Sequence, residues 1–129
     1  MSKWVVDASA VLAYLHQETG WQLVDEVLLA GECMISTVNY AEVAAKLAEK
    51  GMPEDAIRMA LDCLNLQVID FTSALALTSG LLRPATRSIG LSLGDRACLA
   101  LAKQQQCPAL TTDRIWETVQ LEVEIKVIR

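Results

Sequence analysis

Apolar positions along this chain recur with two different periods. Short apolar runs predict buried strands, and apolar residues repeating every three or four positions predict helices. The predicted strands cover residues 3–7, 33–36, 67–71, 109–112 and 123–128. The predicted helices cover residues 8–16, 21–30, 37–50, 53 to about 64, 72–82, 93 or 94 to about 106, and a short turn around 114–118. Pro84 and Gly90 mark residues 83–92 as a loop.

Strands that alternate with helices are typical of parallel βαβ units. The pattern therefore predicts a three-layer α/β/α sandwich around a mostly parallel sheet of four or five strands. The last run shows partial apolar/polar alternation, and we expect it at an edge of the sheet. A length of 129 residues suits one domain spanning 1–129 with a single sizeable core.

Composition narrows the class of protein. With 53% hydrophobic and 21% charged residues, the chain is expected to form an ordered globule. No apolar stretch approaches the ~18–20 residues that cross a bilayer, and the N-terminus lacks a signal-peptide pattern. These features predict a cytoplasmic protein with no membrane partner. The net charge of −5 argues against a surface that binds nucleic acid everywhere. It is compatible with a nuclease, because bound cations offset clustered carboxylates locally.

Cysteine and histidine usage excludes several kinds of site. The four cysteines form no C-x-x-C pair, so buried reduced thiols are expected and a zinc site is not. They are Cys33, Cys63, Cys98 and Cys107. His16 is the single histidine, and we expect it at the surface or at a helix cap. Hydrolases built on Ser-His-Asp or Cys-His are therefore improbable. The P-loop motif and a Gly-rich turn after the first strand are also absent.

Acidic residues follow two of the predicted strands. Asp7 comes directly after the first strand and Asp113 directly after the fourth. The carboxyl ends of parallel strands form the rim where open α/β sheets bind ligands, so both acids are expected there. Taken alone, Asp7 is explained at least as well as a helix cap.

Two further acids lie on predicted helices. Asp95 continues an apolar stripe with Cys98 and Leu99, where an unpaired charge is costly. Either it caps its helix or a cation compensates it. Glu42 has Lys46 four residues later, so an exposed ion pair explains it about as well as chemistry does. Several carboxylates without His or Cys form an oxygen site that suits Mg²⁺ or Mn²⁺, and such sites hydrolyse phosphodiesters.

Four short blocks resemble the PIN-domain family, and within it the VapC-type toxins of toxin–antitoxin pairs. The resemblance covers nearly the whole chain, and the third block is its most specific segment. The blocks are Val5-Val6-Asp7-Ala8-Ser9-Ala10, Asn39-Tyr40-Ala41-Glu42, the segment 90–102 around Gly94-Asp95, and Leu110-Thr111-Thr112-Asp113.

The resemblance implies a ribonuclease that depends on Mg²⁺ or Mn²⁺, acts on RNA, forms a homodimer and is inhibited by a small antitoxin. It also implies an acidic pocket formed by Asp7, Glu42, Asp95 and Asp113. In that pocket Asp7 and Asp95 would be the firmest metal ligands, and Asp113 would support them. Glu42 would orient water or a second ion.

Neighbouring residues receive supporting roles by the same resemblance. Ser9 and Thr111 would hydrogen-bond the carboxylates and fix their orientation, although ordinary capping or turn bonding explains them about as well. Arg83, Arg87 and Arg96 are candidate phosphate contacts, and for each a solvated basic patch, or for Arg96 an ion pair, is the simpler explanation.

Two other functions are compatible with these residues. One is a catalytically silent PIN-fold module that only binds a partner, and the other is an RNA-processing nuclease without an antitoxin. The apolar helices of residues 37–64 either form a dimer surface or belong to the core.

Overall fold

The sheet consists of five parallel strands in the order β3-β2-β1-β4-β5. The structure is a computed structural model, and it describes residues 2–129. The strands are β1 (Lys3–Val6), β2 (Glu32–Ser36), β3 (Gln67–Ile69), β4 (Ala109–Thr111) and β5 (Ile125–Val127). The predicted parallel α/β/α architecture is confirmed, and the last strand lies at an edge as expected.

Helices cover both faces of the sheet. They are α1 (Ala8–Leu15), α2 (Trp21–Ala30), α3 (Thr37–Glu49), α4 (Glu54–Asp62), α5 (Ser73–Leu81), α6 (Arg83–Thr86) and α7 (Leu93–Gln105). Two 3₁₀ turns span Arg87–Ile89 and Arg114–Thr118. Among residues 2–129, no helix combines the length and the apolarity that crossing a bilayer requires.

Alternation along the strands divides the buried residues into two cores. Val6, Ile35 and Leu110 point into a core formed with α1 to α4. Their neighbours Val5, Met34 and Ala109 point to the opposite face, into a core formed with α5 and α7. Successive strand residues face opposite sides of a sheet, so these nearly all-apolar strands require helices on both faces.

The predicted loop at residues 83–92 is wrong over most of its length. Residues 83–86 form α6, and a 3₁₀ turn continues to Ile89. Pro84 lies in the first turn of α6, where its missing N–H has no intrahelical partner to lose. Thr86 is fully buried and donates its hydroxyl to the Leu82 carbonyl at 2.9 Å. Gly90 ends the segment with a φ of 71°, a conformation that glycine adopts without strain.

The strand order reverses direction at β1. From β1 the chain adds β2 and β3 on one side and then β4 and β5 on the other. This change of side is a topological switch point, where the loops leave a crevice beyond the carboxyl ends of two adjacent strands. Here those strands are β1 and β4, which are followed by Asp7 and, after Thr112, by Asp113.

The cysteines do not share one environment. Cys33 and Cys98 are buried as expected, whereas Cys63 is exposed and Cys107 is half-buried. Cys63 follows the last turn of α4, where the helix end reaches solvent. His16 is exposed at the C-terminal cap of α1, and this confirms its predicted place.

Candidate metal centre

Asp7 occupies the cap position of α1 without capping the helix through its side chain. Its Oδ2 instead accepts hydrogen bonds from the Ser9 hydroxyl at 2.6 Å and the Thr111 hydroxyl at 2.9 Å. The interpretation of Asp7 as a side-chain helix cap is therefore wrong, and the predicted bonds from Ser9 and Thr111 are confirmed. No group within residues 2–129 donates to the other oxygen, Oδ1.

The sheet register brings these three residues together. Val6 pairs with Leu110 on the neighbouring strand, and the Asp7 amide donates to the Leu110 carbonyl at 2.9 Å. Thr111 is the next residue of β4 and therefore meets Asp7. Ser9 enters from the first turn of α1 and also accepts the Thr112 amide at 3.1 Å. Both hydroxyls are thus fixed by their own backbone positions.

Burial raises the pKa of Asp7. The side chain is 5% exposed, and loss of water lifts its pKa from 3.8 to about 6. The bonds from Ser9 and Thr111 favour the charged form and lower the pKa, whereas the charges of Asp95 and Glu42 raise it further. Asp7 is therefore an anion at neutral pH that the protein holds at a cost.

The thiol of Cys98 is surrounded by the same negative charges. It is fully buried on α7, three residues after Asp95. Burial raises the pKa of its thiol, and the charges of Asp7, Asp95 and Glu42 raise it further. Three of the four predicted acids therefore converge on one region. The thiol stays protonated and is unsuited to act as a nucleophile.

Glu42 is held by an asparagine one helical turn earlier. The Asn39 side-chain amide donates to Glu42 Oε1 at 2.7 Å and to the Gly94 carbonyl at 3.0 Å. Asn39 is completely buried, so it links α3 firmly to the first turn of α7. The alternative of an ion pair between Glu42 and Lys46 is wrong: no such pair exists within residues 2–129.

Gly94 leaves the space that the Glu42 carboxylate fills. A Cβ atom built at Gly94 would overlap both carboxylate oxygens of Glu42. Glycine costs about 1 kcal/mol relative to alanine inside a helix. At the start of α7, glycine is needed because its missing side chain lets Glu42 of α3 approach closely.

Asp95 closes a capping box at the start of α7. Its Oδ2 accepts the Ser92 amide at 2.8 Å, and its own amide donates to the Ser92 hydroxyl at 3.2 Å. One of the two explanations offered by the sequence, a helix cap, is therefore confirmed. The side chain is half-exposed, and its Oδ1 receives no bond from the described residues. Capping thus orients the carboxylate and leaves one oxygen available.

Asp113 joins the cluster through its backbone. Its amide donates to the Thr111 hydroxyl at 3.2 Å, the same hydroxyl that donates to Asp7. Its side chain is exposed, and Oδ1 accepts the Ile115 amide at 3.0 Å to cap the 3₁₀ turn. Burial is the main cause of the raised pKa of Asp7; of the other acids, Asp95 and Glu42 raise it further and Asp113 does not. Asp113 is the outlying member of the four acids.

The donor set fits a hard divalent cation. Across residues 2–129, no three His, Cys, Asp or Glu side chains already lie close enough to enclose an ion. The surrounding chemistry is nevertheless that of an oxygen site for Mg²⁺ or Mn²⁺. Asp7 and Asp95 each present a carboxylate oxygen that the described residues leave without a donor, and the missing Cβ of Gly94 admits Glu42.

The three candidate arginines have different environments. Arg83 and Arg87 are exposed, and Arg83 donates only a long bond of 3.4 Å to the Leu91 carbonyl. Arg96 is half-buried and donates to the Ser79 carbonyl at 3.2 Å, so it fastens α7 to α5. Within residues 2–129 Arg96 forms no ion pair and is not fully solvated, so those two explanations are wrong, and its phosphate contact stays a prediction.

Two residues of the site had no predicted role. Asn39 precedes Glu42 by three positions, a spacing that places an amide and a carboxylate side by side on a helix. Gly94 stands in the first turn of a strong helix, and such a glycine is a signal of close packing. The sequence contained both signals. Their meaning depended on α3 and α7 meeting in space.

Comparison with known proteins gives a consistent family and fold. A family model of the PIN domain matches residues 4–121. No curated protein matches the chain significantly in sequence.

Several solved structures share the fold. A DNA-bound VapBC from Salmonella typhimurium aligns with a TM-score of 0.77 at 16% identity, over 100% of each chain. VapBC2 from Rickettsia felis, bound to a promoter DNA fragment, gives 0.74 at 15% identity, over 96% of this chain and 97% of that one. VapC20 from Mycobacterium tuberculosis, described as a toxin that cleaves the sarcin-ricin loop, gives 0.72 at 15% identity, over 94% and 98%. At these identities the likeness concerns the fold.

Proposed function

The chain belongs to the PIN-domain family, and on that premise we propose that it is an endoribonuclease dependent on Mg²⁺ or Mn²⁺ and the toxin of a toxin–antitoxin pair. The observation that carries this proposal is the convergence of Asp7, Glu42 and Asp95 beside the switch point of the sheet. The proposed unit is one PIN-like domain covering residues 1–129, acting in the cytoplasm.

Each acid has a proposed role that its setting supports. Asp7 and Asp95 are the principal metal ligands, because each has one carboxylate oxygen fixed by the protein and the other without a donor. Glu42, locked by Asn39, orients water or a second ion. Asp113 supports the site from its rim through Oδ2, since Oδ1 caps the following turn.

A bound divalent cation would supply the positive charge that activates water and stabilises charge developing on the phosphate oxygens. The protein supplies the orientation. Ser9 and Thr111 keep Asp7 in one rotamer. The capping box and the Asn39 bridge do the same for Asp95 and Glu42. Carboxylates fixed in advance lose little conformational entropy when the substrate binds.

The proposed antitoxin has a groove to occupy. Helices α3 and α4 enclose an apolar groove of about 540 Å³, with Glu54 and Arg58 paired at 2.8 Å at its rim. Its apolar lining consists of Tyr40, Ala44, Ala45, Ala48, Met52, Ile57 and Leu61. A groove of this kind suits the apolar face of a partner helix. Solved neighbours of this chain include toxin–antitoxin complexes, among them one from Klebsiella pneumoniae.

The proposed homodimer has a separate surface. Leu77 and Leu81 lie one turn apart on α5 and are 65% and 70% exposed. Large apolar side chains that share an exposed helix face are typical of association surfaces. This arrangement favours α5 over the helices of residues 37–64 as the dimer contact.

The proposal is tested by two measurements on the purified protein. Transfer and ribosomal RNA are incubated with the protein and Mn²⁺ or Mg²⁺, and EDTA is the control. Cleavage that requires the metal is expected. Calorimetric titration with Mn²⁺ should also give binding that Asp7→Asn abolishes. A folded protein that neither binds millimolar Mn²⁺ nor cuts RNA would be the catalytically silent binding module.

The antitoxin is tested separately from catalysis. Co-expression with the adjacent small reading frame should yield a complex in which RNA cleavage is suppressed. A charged substitution in the groove, Ala48→Glu, should release the partner and restore cleavage. An active nuclease with no inhibitory neighbour would instead be the RNA-processing enzyme.

A further inference from the structure

A cleft rich in basic residues opens next to the acidic centre. Its volume is about 260 Å³, and its basic lining residues are His16, Lys46, Lys50 and Arg129. One acid, Glu18, lies among them, and it is paired with Arg129 at 3.1 Å. The cleft is therefore a local excess of positive charge in a chain whose net charge is −5.

Two lysines supply the charge that remains available. Lys46 and Lys50 are exposed, and neither forms an ion pair with any group in residues 2–129. The sequence suggested that Lys46 would neutralise Glu42 at i+4. Asn39 holds Glu42 instead, so the Lys46 ammonium lines the cleft.

The cleft is continuous with the acidic centre through two residues. Ser9 and Thr112 line it beside the lysines. The Ser9 hydroxyl donates to Asp7 at 2.6 Å and accepts the Thr112 amide at 3.1 Å. A molecule in the cleft is thus separated from Asp7 by one hydroxyl group.

Helix α3 sets the direction of the charged groups. Glu42 and Lys46 share one face of α3, four residues and ~6 Å apart, and Lys50 follows four residues later as the C-terminal cap of the helix. The face therefore leads from an acid of the proposed metal site to two cations in sequence. Such a row matches a strand that carries one anionic group after another.

We propose that this cleft binds the backbone of the RNA next to the phosphate that is cleaved, with Lys46 and Lys50 as the phosphate contacts. The inference rests on the proposed function and adds the path of the substrate to it. RNA is favoured over an acidic peptide because Ser9, which lines the cleft, also donates to Asp7 of the proposed metal site. The lysines also explain how an acidic protein holds a polyanion, since phosphate binding needs only a local basic surface.

The test measures RNA binding without catalysis. Fluorescein-labelled oligouridine is titrated with the protein in EDTA, and anisotropy is recorded at several salt concentrations. Lys46→Gln with Lys50→Gln should weaken binding roughly 20-fold at ~0.1 M salt, because each phosphate contact contributes a slope of about −0.7 for single strands. The slope of log K against log salt should become less steep by about 1.4.

A matched double variant controls for net charge. Lys103 lies on α7 and Lys126 on β5, and both are exposed outside the cleft. Lys103→Gln with Lys126→Gln removes the same charge and should leave affinity within about twofold of wild type. Thermal unfolding should show both double variants folded to the same extent.

The possible results separate the inference from the proposed function. If the Lys46/Lys50 variant binds oligouridine as tightly as the wild type does, the cleft assignment is overturned. The proposed function is tested in a separate reaction, the metal-dependent cleavage of RNA by the wild-type protein. Labelled oligoglutamate is titrated in the same way as a model of an acidic peptide. If the Lys46/Lys50 variant loses oligoglutamate binding and keeps oligouridine binding, the cleft binds an acidic peptide and the RNA assignment is overturned.

Discussion

The acidic centre has two halves that are built in different ways. Asp7 is buried, and two hydroxyls from neighbouring backbone positions fix its carboxylate. Glu42 and Asp95 lie on helices at the solvent side, where an amide and a capping box orient them. One half is therefore the buried carboxylate of Asp7 at the edge of the sheet. The other half consists of Glu42 and Asp95, two acids oriented at the surface.

The two halves differ in how much free energy their charges cost the folded protein. Burying a carboxylate disfavours its charged form, and Asp7 has the raised pKa that follows. The outer acids keep contact with water and depend on positioning instead. The proposed cation would gain most from Asp7, because a charge that has lost its water is screened least. The following experiments weaken each half in turn.

Removing the charge of Asp7 should have the largest effect. Asp7→Asn can still accept the bonds from Ser9 and Thr111, so the fold should persist. We expect RNA cleavage to fall at least ~100-fold, in line with the loss of an electrostatic group aligned with reacting charge. Stability in EDTA at pH 7 should rise, because the neutral amide avoids the cost of a buried charge. Initial rates and urea unfolding measure the two effects.

Asp70 provides the control for that experiment. It also follows a strand of the sheet, after β3, but it is exposed and lies outside the acidic cluster. Asp70→Asn should change neither cleavage nor stability appreciably. Equal losses of activity in the two variants would contradict the assignment of Asp7.

The pH dependence of stability should distinguish the buried half. Between 3.8 and about 6 the folded chain binds the Asp7 proton more tightly than the unfolded chain does. The stability it contributes is fully present below pH 3.8 and is lost as pH rises through about 6. The difference corresponds to ~3 kcal/mol. Urea unfolding of wild type and Asp7→Asn in EDTA should therefore diverge over this window, and parallel curves would refute the buried charge.

Gly94→Ala should disturb the outer half without weakening the helix. The new methyl group would occupy the space of the Glu42 carboxylate, and a misplacement of about 1 Å can cost ~100-fold in rate. Alanine also favours the helix by about 1 kcal/mol. We expect reduced cleavage in a protein that stays folded. Gly80→Ala on α5, where an added Cβ meets no atom within 4 Å, should only stabilise. Comparable activity in both variants would refute the role of Gly94.

Removing one hydroxyl beside Asp7 should have the smallest effect. Ser9→Ala or Thr111→Val deletes a bond that orients the carboxylate and lowers its pKa. A loss of about tenfold in Mn²⁺ affinity is expected, as for other groups that orient metal ligands. Thr86→Val is the control, because Thr86 is buried and its hydroxyl bonds only to backbone carbonyls of its own segment. Calorimetry should show unchanged Mn²⁺ affinity for that variant.

The sequence by itself determined the three layers of the fold and the edge of the sheet at which Asp7 and Asp113 lie. Apolar periodicity predicted all five strands and most helices. This is possible because side chains alternate between the two faces of a strand, whereas on a helix they return to the same face every three or four residues. It failed at residues 83–92, where Pro84 and Gly90 resembled loop signals. There the buried Thr86 hydroxyl and the tolerance of proline in a first turn favour helical turns.

Only the tertiary structure decided how the acids are held. The sequence offered a cap for Asp7 and an ion pair for Glu42, both of which are local interactions. The structure adds to the local partners Ser9 and Asn39 two residues that are distant in sequence: Thr111 donates to Asp7 from 104 positions away, and Gly94, 52 positions from Glu42, leaves space for its carboxylate. Local spacing fixes which residues share a helix face or a strand end. Which faces and ends meet depends on strand order and helix packing, and that order joins β1 to β4 and α3 to α7.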